Sequence, residues 1–174
     1  MSWSARDKEL FIGFALRKRT RFDGEPLLHL LLRCEPCFLR EDAPWVASLL
    51  QNECELPGPR GGSALASLLR AERPEDAGEG AHFQALLAQA GRADADGRTP
   101  LMELCARCPR LLIQGWAGVL LDAAGGKTDA GGGTALLALL SGAAADVDFE
   151  GAHFRRLFAA ESGVAGPRGE TLLA

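Results

Sequence analysis

Five cysteines carry the spacing in this sequence that is most suggestive of chemistry. Cys34 and Cys37 form one Cys-x-x-Cys pair, and Cys105 and Cys108 form a second. Four thiolates can complete the tetrahedral coordination of zinc, and one such pair can act in redox chemistry. The two pairs are separated by 67 residues, whereas zinc modules separate theirs by roughly 15–20. The spacing therefore favours buried or surface thiols, with no metal and no cofactor, over a zinc or redox site.

The histidines and the glycine-rich loops give weaker signals. His82 and His153 each precede a phenylalanine in the tetrapeptide GAHF, and this recurrence indicates packing or capping rather than catalysis. The loop GGKTDAGGG (125–133) lacks the G-x-x-x-x-G-K-[ST] spacing of a phosphate loop, and no predicted strand precedes it. No Ser-His-carboxylate set, HExxH motif or carboxylate pair stands out, so nothing in the sequence points to an enzyme.

Composition is that of an ordinary globular protein. A chain of 174 residues suits one domain, and a hydrophobic fraction of 47% is ample for a core. The net charge of −4 gives no global attraction to nucleic acid, and the basic run RKRTR (17–21) is interpreted as a solvated face. No apolar stretch approaches the roughly 20 residues of a membrane span. Without a recognisable secretory signal, the odd cysteine count predicts reduced thiols and a cytoplasmic location.

An internal repeat must position these residues. The stretches DGEPLLHLLLR, GGSALASLLRA, DGRTPLMELCAR, GGTALLALLSG and RGETLLA resemble one another. Their anchors lie about 38, 36, 35 and 37 positions apart, at Pro26, Ala64, Pro100, Ala135 and Leu172. A second motif, an aromatic residue followed by an apolar pair, keeps the same period at 43–50, 80–87, 114–121 and 151–158. Periods in this range are typical of helical solenoids.

Each repeat predicts two short helices. Leu27, Leu30 and Leu31 fall on one helical face, and the later repeats keep this pattern. A threonine or serine before the first helix can cap its free N–H groups. The prolines expected to end the first helix are Pro36, Pro74 and Pro109. Because one such pair cannot bury its apolar face alone, the units are expected to stack into an elongated array with a curved binding surface.

The predicted fold class is all-α: a helical-repeat solenoid of about four to five helix pairs with an N-terminal capping helix, in a single domain over 1–174. The cap is assigned to residues 1–22. The repeats are assigned approximately to 23–60, 61–96, 97–131 and 132–168, and a partial repeat follows at 169–174.

The repeats resemble ankyrin repeats, most closely in DGRTPLMELCA and less so in DGEPLLHLLL and GGTALLALL. That family has a Gly-x-Thr-Pro-Leu helix start, two antiparallel helices and a hairpin-like link in about 33 residues. It usually carries two small residues late in the first helix. Here the first of those places holds Leu30, Leu68, Leu104 and Leu139, and the second holds Leu31, Leu69, Cys105 and Leu140. These bulkier residues imply wider or shifted helix spacing, so a divergent ankyrin-like array is expected, with a generic α-helical solenoid as the alternative.

The resemblance implies a protein–protein interaction scaffold that binds another protein through the link tips and the concave first-helix face. The net charge and the lack of a long apolar stretch predict no nucleic-acid partner and no membrane insertion. A structural subunit of a larger assembly and an N-terminal targeting domain of a longer multidomain protein remain open alternatives. The candidate tip residues are Arg60, Asp94, Asp96, Arg98, Lys127 and Asp129. The candidate first-helix residues are His29, Arg33, Ser67, Arg70, Glu103 and Arg107. Helical phase also predicts that Leu104 is buried and that Glu103, about 100° away, faces solvent or a partner.

Overall fold

A computed structural model describes residues 4–18, 21–22, 24–142 and 147–164. These residues contain nine α-helices, and their only sheet is a hairpin of two short antiparallel strands, β1 (Arg21–Phe22) and β2 (Glu25–Pro26). The prediction of a mostly helical, all-α protein is therefore confirmed. The partial repeat predicted at 169–174 lies outside the described residues.

The helices follow one another in pairs after a leading helix, α1 (Ala5–Lys18). The first helices of pairs one to four are α2 (Leu27–Cys34), α4 (Ala64–Leu69), α6 (Pro100–Arg107) and α8 (Ala135–Ser141). The second helices are α3 (Pro44–Glu53), α5 (Ala81–Leu87), α7 (Ala117–Ala124) and α9 (Ala152–Glu161). The first helices pack in chain order, α2 on α4, α4 on α6 and α6 on α8. Because α1 packs on α3, it extends the row of second helices.

A hydroxyl side chain caps three of the four first helices. Ser63 Oγ accepts a hydrogen bond from Ala66 N at 3.1 Å. Thr99 and Thr134 accept from the third residue after themselves in the same way. These bonds satisfy N–H groups that have no partner within the helix, and they confirm the capping prediction.

Side chains at the end of a second helix also reach back to the start of its partner first helix. The three bonds are Glu53 Oε2 to Leu28 N at 2.7 Å, Gln89 Oε1 to Ala64 N at 2.9 Å and Glu161 Oε2 to Leu136 N at 2.6 Å. Oxygen acceptors are favourable at the positive end of a helix dipole. The contact matters most for α2, because Pro26 occupies its cap position and makes no side-chain cap bond. In pairs one, two and four, these bonds place the end of the second helix beside the start of the first, so the two helices run antiparallel.

The links between pairs turn at left-handed glycines, and these glycines set the register of the repeat. Their φ angles lie between 76° and 81°, at Gly24, Gly61, Gly97 and Gly132. Their intervals of 37, 36 and 35 residues equal the intervals between the first residues of α2, α4, α6 and α8. The anchor in the first repeat is therefore Leu27, and the choice of Pro26 is wrong by one residue. Pro26 takes the cap position that Thr99 has in the third pair.

The core follows the row of helices. Leu104 is fully buried, as predicted, and so are Leu68 and Leu139. Leu140 is 49% exposed, whereas Leu69 and Cys105, which hold the same place in earlier repeats, are buried. The prolines that follow α2, α4 and α6 each begin a 3-10 turn, at Pro36–Arg40, Pro74–Ala77 and Pro109–Ile113. These turns lie at the other end of the helix pairs from the links.

Candidate interaction surface

Three of the links end in closed tips, which cover residues 58–62, 94–98 and 129–133. In each tip the first residue donates its N–H to the carbonyl of the fifth at 2.9 Å. Neighbouring tips are joined by backbone hydrogen bonds, from Ala95 N to Arg60 O at 2.9 Å and from Ala130 N to Asp96 O at 2.8 Å. The side chains of Arg60 and Asp96 are exposed. The tips therefore form a row that carries charged side chains on a hydrogen-bonded backbone.

Asp94 and Asp129 shape the tips to which they belong. Asp94 Oδ1 accepts hydrogen bonds from Asp96 N at 3.0 Å and Arg98 N at 2.9 Å. Asp129 Oδ1 accepts from two glycine N–H groups, at 2.9 Å and 2.7 Å. Aspartate commonly stabilises turns in this way. These two candidate binding residues therefore have a structural role in their tips.

A charged cluster lies between α4 and α6, and we define it as Arg70, Asp94, Glu103 and Arg107. Arg70 Nη2 lies 2.7 Å from Glu103 Oε1 and 3.5 Å from Asp94 Oδ2. Arg107 Nε donates to Glu103 Oε2 at 3.1 Å. The Glu103 side chain is 3% exposed and that of Arg70 is 18% exposed. The structure thus brings together four of the candidate residues from three separate segments of the chain.

Glu103 is an ionised group inside this cluster. Burial alone would raise the pKa of Glu103, but the hydrogen bond and the charge of Arg70 outweigh it and lower that pKa. The same hydrogen bond raises the pKa of Arg70. The prediction that Glu103 is exposed is wrong, because α4 packs against the side of α6 on which it lies.

His29 and Ser67 form a buried pair between α2 and α4. His29 is fully buried and Ser67 is 2% exposed, so the prediction that these side chains are exposed is also wrong. His29 Nε2 lies 2.9 Å from Leu56 O, and its Nδ1 lies 2.8 Å from Ser67 Oγ. Because a carbonyl can only accept, Nε2 carries the proton and Nδ1 accepts from the Ser67 hydroxyl. Burial lowers the pKa of His29, which therefore fastens two helix pairs in its neutral form.

The remaining candidates differ in solvent exposure and in the contacts that they already make. Arg33 is half-buried and pairs with Glu25. Lys127 is exposed, and its Nζ donates to Gly91 O at 3.2 Å. Arg107 remains 58% exposed although it contacts Glu103. The candidates that are exposed are Arg60, Asp96, Arg107 and Lys127.

A cleft of about 180 Å³ opens beside the tips, between α6 and α8. Its lining residues are Arg98, Met102, Asp129, Gly133, Thr134, Leu137, Ala138 and Ser141. Arg98 Nε is buried and has no hydrogen-bond partner within the described residues. A buried donor without an acceptor is unusual. Sequence reasoning missed the cleft because its residues come from two repeats.

The two Cys-x-x-Cys pairs do not form one site. Cys34 and Cys37 are exposed, whereas Cys105 and Cys108 are buried. Burial raises the pKa of Cys105, and it raises that of Cys108 to about 12, so both are protonated thiols at neutral pH. No group of three or more His, Cys, Asp or Glu side chains in the described residues is arranged to hold a metal ion.

No protein-family model matches the chain. No match is found among curated proteins or among solved structures. Within the described parts of the chain, every helix is too short or too polar to cross a membrane.

Proposed function

We propose that this chain is a divergent ankyrin-like solenoid that acts as a protein-interaction scaffold through its link tips and first-helix face. Three observations support the ankyrin-like assignment. The first helices stack in chain order, the helices of a pair are antiparallel, and closed tips with a left-handed glycine recur with the repeat. These are the elements that the ankyrin resemblance implies.

The observation that carries the functional proposal is the row of joined tips. Hydrogen bonds from tip to tip hold the backbone in place, so the exposed side chains can bind without first ordering the loops. The exposed candidates on this surface are three cations, Arg60, Arg107 and Lys127, and one anion, Asp96. The exposed part of this surface therefore carries a net positive charge, while the chain as a whole carries −4. It suits the acidic surface of another protein.

Arg60 adds support from the backbone. Its φ of 62° makes it the one non-glycine residue with a left-handed conformation in the described residues. Such a conformation costs a non-glycine residue about 1 kcal/mol or more. A charged side chain at a strained tip position fits a role in binding.

The test is capture of partners from the source cell by cross-linking, with two matched variants. The tip variant combines Arg60→Glu with Lys127→Glu. The control combines Arg6→Glu with Arg155→Glu, which makes the same charge change at exposed positions on α1 and α9. A discrete partner that the wild type and the control retain and the tip variant loses supports the proposal. A partner retained by all three variants contradicts it, and recovery of one fixed multisubunit complex favours the structural-subunit alternative.

Arg60→Gly offers a second test at a single residue. Glycine relieves the left-handed strain, so thermal stability should be unchanged or should rise by up to about 1 kcal/mol. Binding of the captured partner should weaken, because the guanidinium is lost. An Arg60→Gly variant that binds as the wild type does would remove Arg60 from the proposed surface.

A further inference from the structure

A second surface lies at the 3-10 turns, at the other end of the helix pairs from the tips. The turn Pro36–Arg40 packs on the turn Pro74–Ala77. Two hollows of about 460 Å³ and about 230 Å³ open here and adjoin at Gly78 and Glu79. We call them together the turn-edge groove. The first hollow lies between pairs one and two, and the second lies between pairs two and three.

The charges along the turn-edge groove are mainly negative. Its walls carry four carboxylates, those of Glu41, Asp42, Glu75 and Glu79, and one guanidinium, that of Arg40. Two of the carboxylates are neutralised from outside the groove. Lys8 Nζ lies 2.8 Å from Glu41 Oε1, and Arg110 Nη2 lies 3.1 Å from Glu75 Oε2.

Asp42 and Glu79 keep their negative charges available. Both are exposed, and neither makes an ion pair within the described residues. Arg40 makes no ion pair with either carboxylate within the described residues, and its Nη2 donates to the backbone carbonyl of Glu75 at 2.9 Å. Its positive charge remains in the wall, so the groove keeps a small net negative charge. One carboxylate lies in the first hollow, and the other lies where the two hollows adjoin.

The second hollow also has an aromatic wall. Phe83 is 3% exposed, and Trp116 packs against it edge-to-face, with ring centroids 5.2 Å apart. Trp116 is itself partly exposed. An aromatic face beside a carboxylate attracts a cation twice, through the ring quadrupole and through the charge. A neutral or acidic segment would gain neither contact.

We propose that the turn-edge groove binds an extended basic segment of a partner protein. One cationic side chain lies between Trp116 and Glu79, and another meets Asp42 in the larger hollow. Binding in the groove is separate from binding at the tips, because the groove and the tips lie at opposite ends of the helix pairs. One molecule can therefore hold two partners of opposite charge.

The probe is a short dye-labelled peptide of alternating arginine and glycine, titrated into the whole chain and followed by fluorescence anisotropy. A peptide with glutamate in place of arginine is the charge control. The arginine peptide should bind saturably, and the glutamate peptide should not. Asp42→Asn with Glu79→Gln should weaken binding roughly 5-fold, because it removes two exposed charge pairs, each of which contributes little by itself.

Control variants separate the groove from overall charge. Glu55→Gln with Glu9→Gln makes the same change in net charge at exposed positions outside the groove and should leave binding unchanged. Trp116→Leu should weaken it roughly 2- to 5-fold by removing the aromatic face, whereas Trp116→Phe should retain most of it. Circular dichroism of each variant verifies that it is folded.

The proposal is overturned if the arginine peptide does not bind saturably or if the glutamate peptide binds equally well. It is also overturned if the control double variant weakens binding as much as Asp42→Asn with Glu79→Gln does. None of these results bears on the tips. If the tip variant lost the captured partner but still bound the arginine peptide, that result would concern the tips alone and would not contradict the proposal for the groove.

Discussion

Replacement of Glu103 by alanine should destabilise the protein markedly. The change removes the hydrogen bonds from Arg70 at 2.7 Å and from Arg107 at 3.1 Å. Arg70 is then left 18% exposed, with Asp94 at 3.5 Å as its remaining ion-pair partner. Loss of one member of a buried ion pair costs about 3–5 kcal/mol. Because Arg70 keeps Asp94 and some solvent, and because Arg107 is mostly exposed, we expect the free energy of unfolding to fall by about 2–3 kcal/mol.

Urea melts of the wild type, Glu103→Ala, Arg70→Ala and the double variant measure this cost and the coupling between the two side chains. The pKa of Glu103 is lower in the folded chain than its ordinary value of 4.5. The carboxylate therefore contributes its stability above that value and loses it as the pH falls through the folded pKa. The coupling between Arg70 and Glu103 should be full at neutral pH and should shrink below pH 4.5.

Glu72→Ala is the matched control, since Glu72 is exposed and has no ion pair within the described residues. It should change stability by less than about 0.5 kcal/mol. Sequence reasoning expects the same small value for Glu103. A Glu103→Ala variant as stable as Glu72→Ala would refute both the burial of Glu103 and its pairing with Arg70.

Four further results are expected. Leu104→Ala should cost roughly 2–5 kcal/mol in a urea melt, because Leu104 is fully buried. Burial raises the pKa of Glu53, so its ionisation opposes folding as the pH rises above 4.5. The melting temperature of Glu53→Gln at pH 7 should therefore equal or exceed that of the wild type, since Gln89 makes the equivalent bond in the second pair. The pKa of His29 is lowered from 6.5, so the unfolded chain binds more protons below that pH; stability should fall on acidification through this range, and His29→Gln should flatten the profile. In the native protein a maleimide should label Cys34 and Cys37 rapidly, but should label Cys105 and Cys108 only after unfolding.

The features that sequence reasoning predicts well depend on neighbours in the chain. A cap such as Thr99 bonds a residue three positions away, so its type and place are sufficient to predict it. The burial of Leu104 follows from the apolar stripe of a helix that is too short to stand alone. The helix pairs themselves are predicted because two motifs keep one period.

The burial of Glu103 could not be predicted in the same way. Helical phase gives the direction in which a side chain points, but it does not say that the preceding repeat lies there with Arg70. His29 is similar, since its partners Ser67 and Leu56 belong to other elements. The register error at Pro26 has a different cause. Matching Pro26 to Pro100 by residue type ignored Gly24, whose left-handed turn fixes where the helix begins.

The bonds that close each helix pair bear on how this chain folds while it is being made. Glu53 bonds to Leu28, which lies 25 positions earlier in the chain. Among the side-chain hydrogen bonds of the described residues, the largest separation in sequence is 41 positions, between His153 and Leu112 O. Each helix pair can therefore make all these backward bonds as soon as its last residue leaves the ribosome, because the pair that it packs against is already synthesised. Folding of this kind proceeds from the N-terminus with the pace of synthesis. The unfolded length at risk of aggregation at any moment is then about one repeat rather than the whole chain.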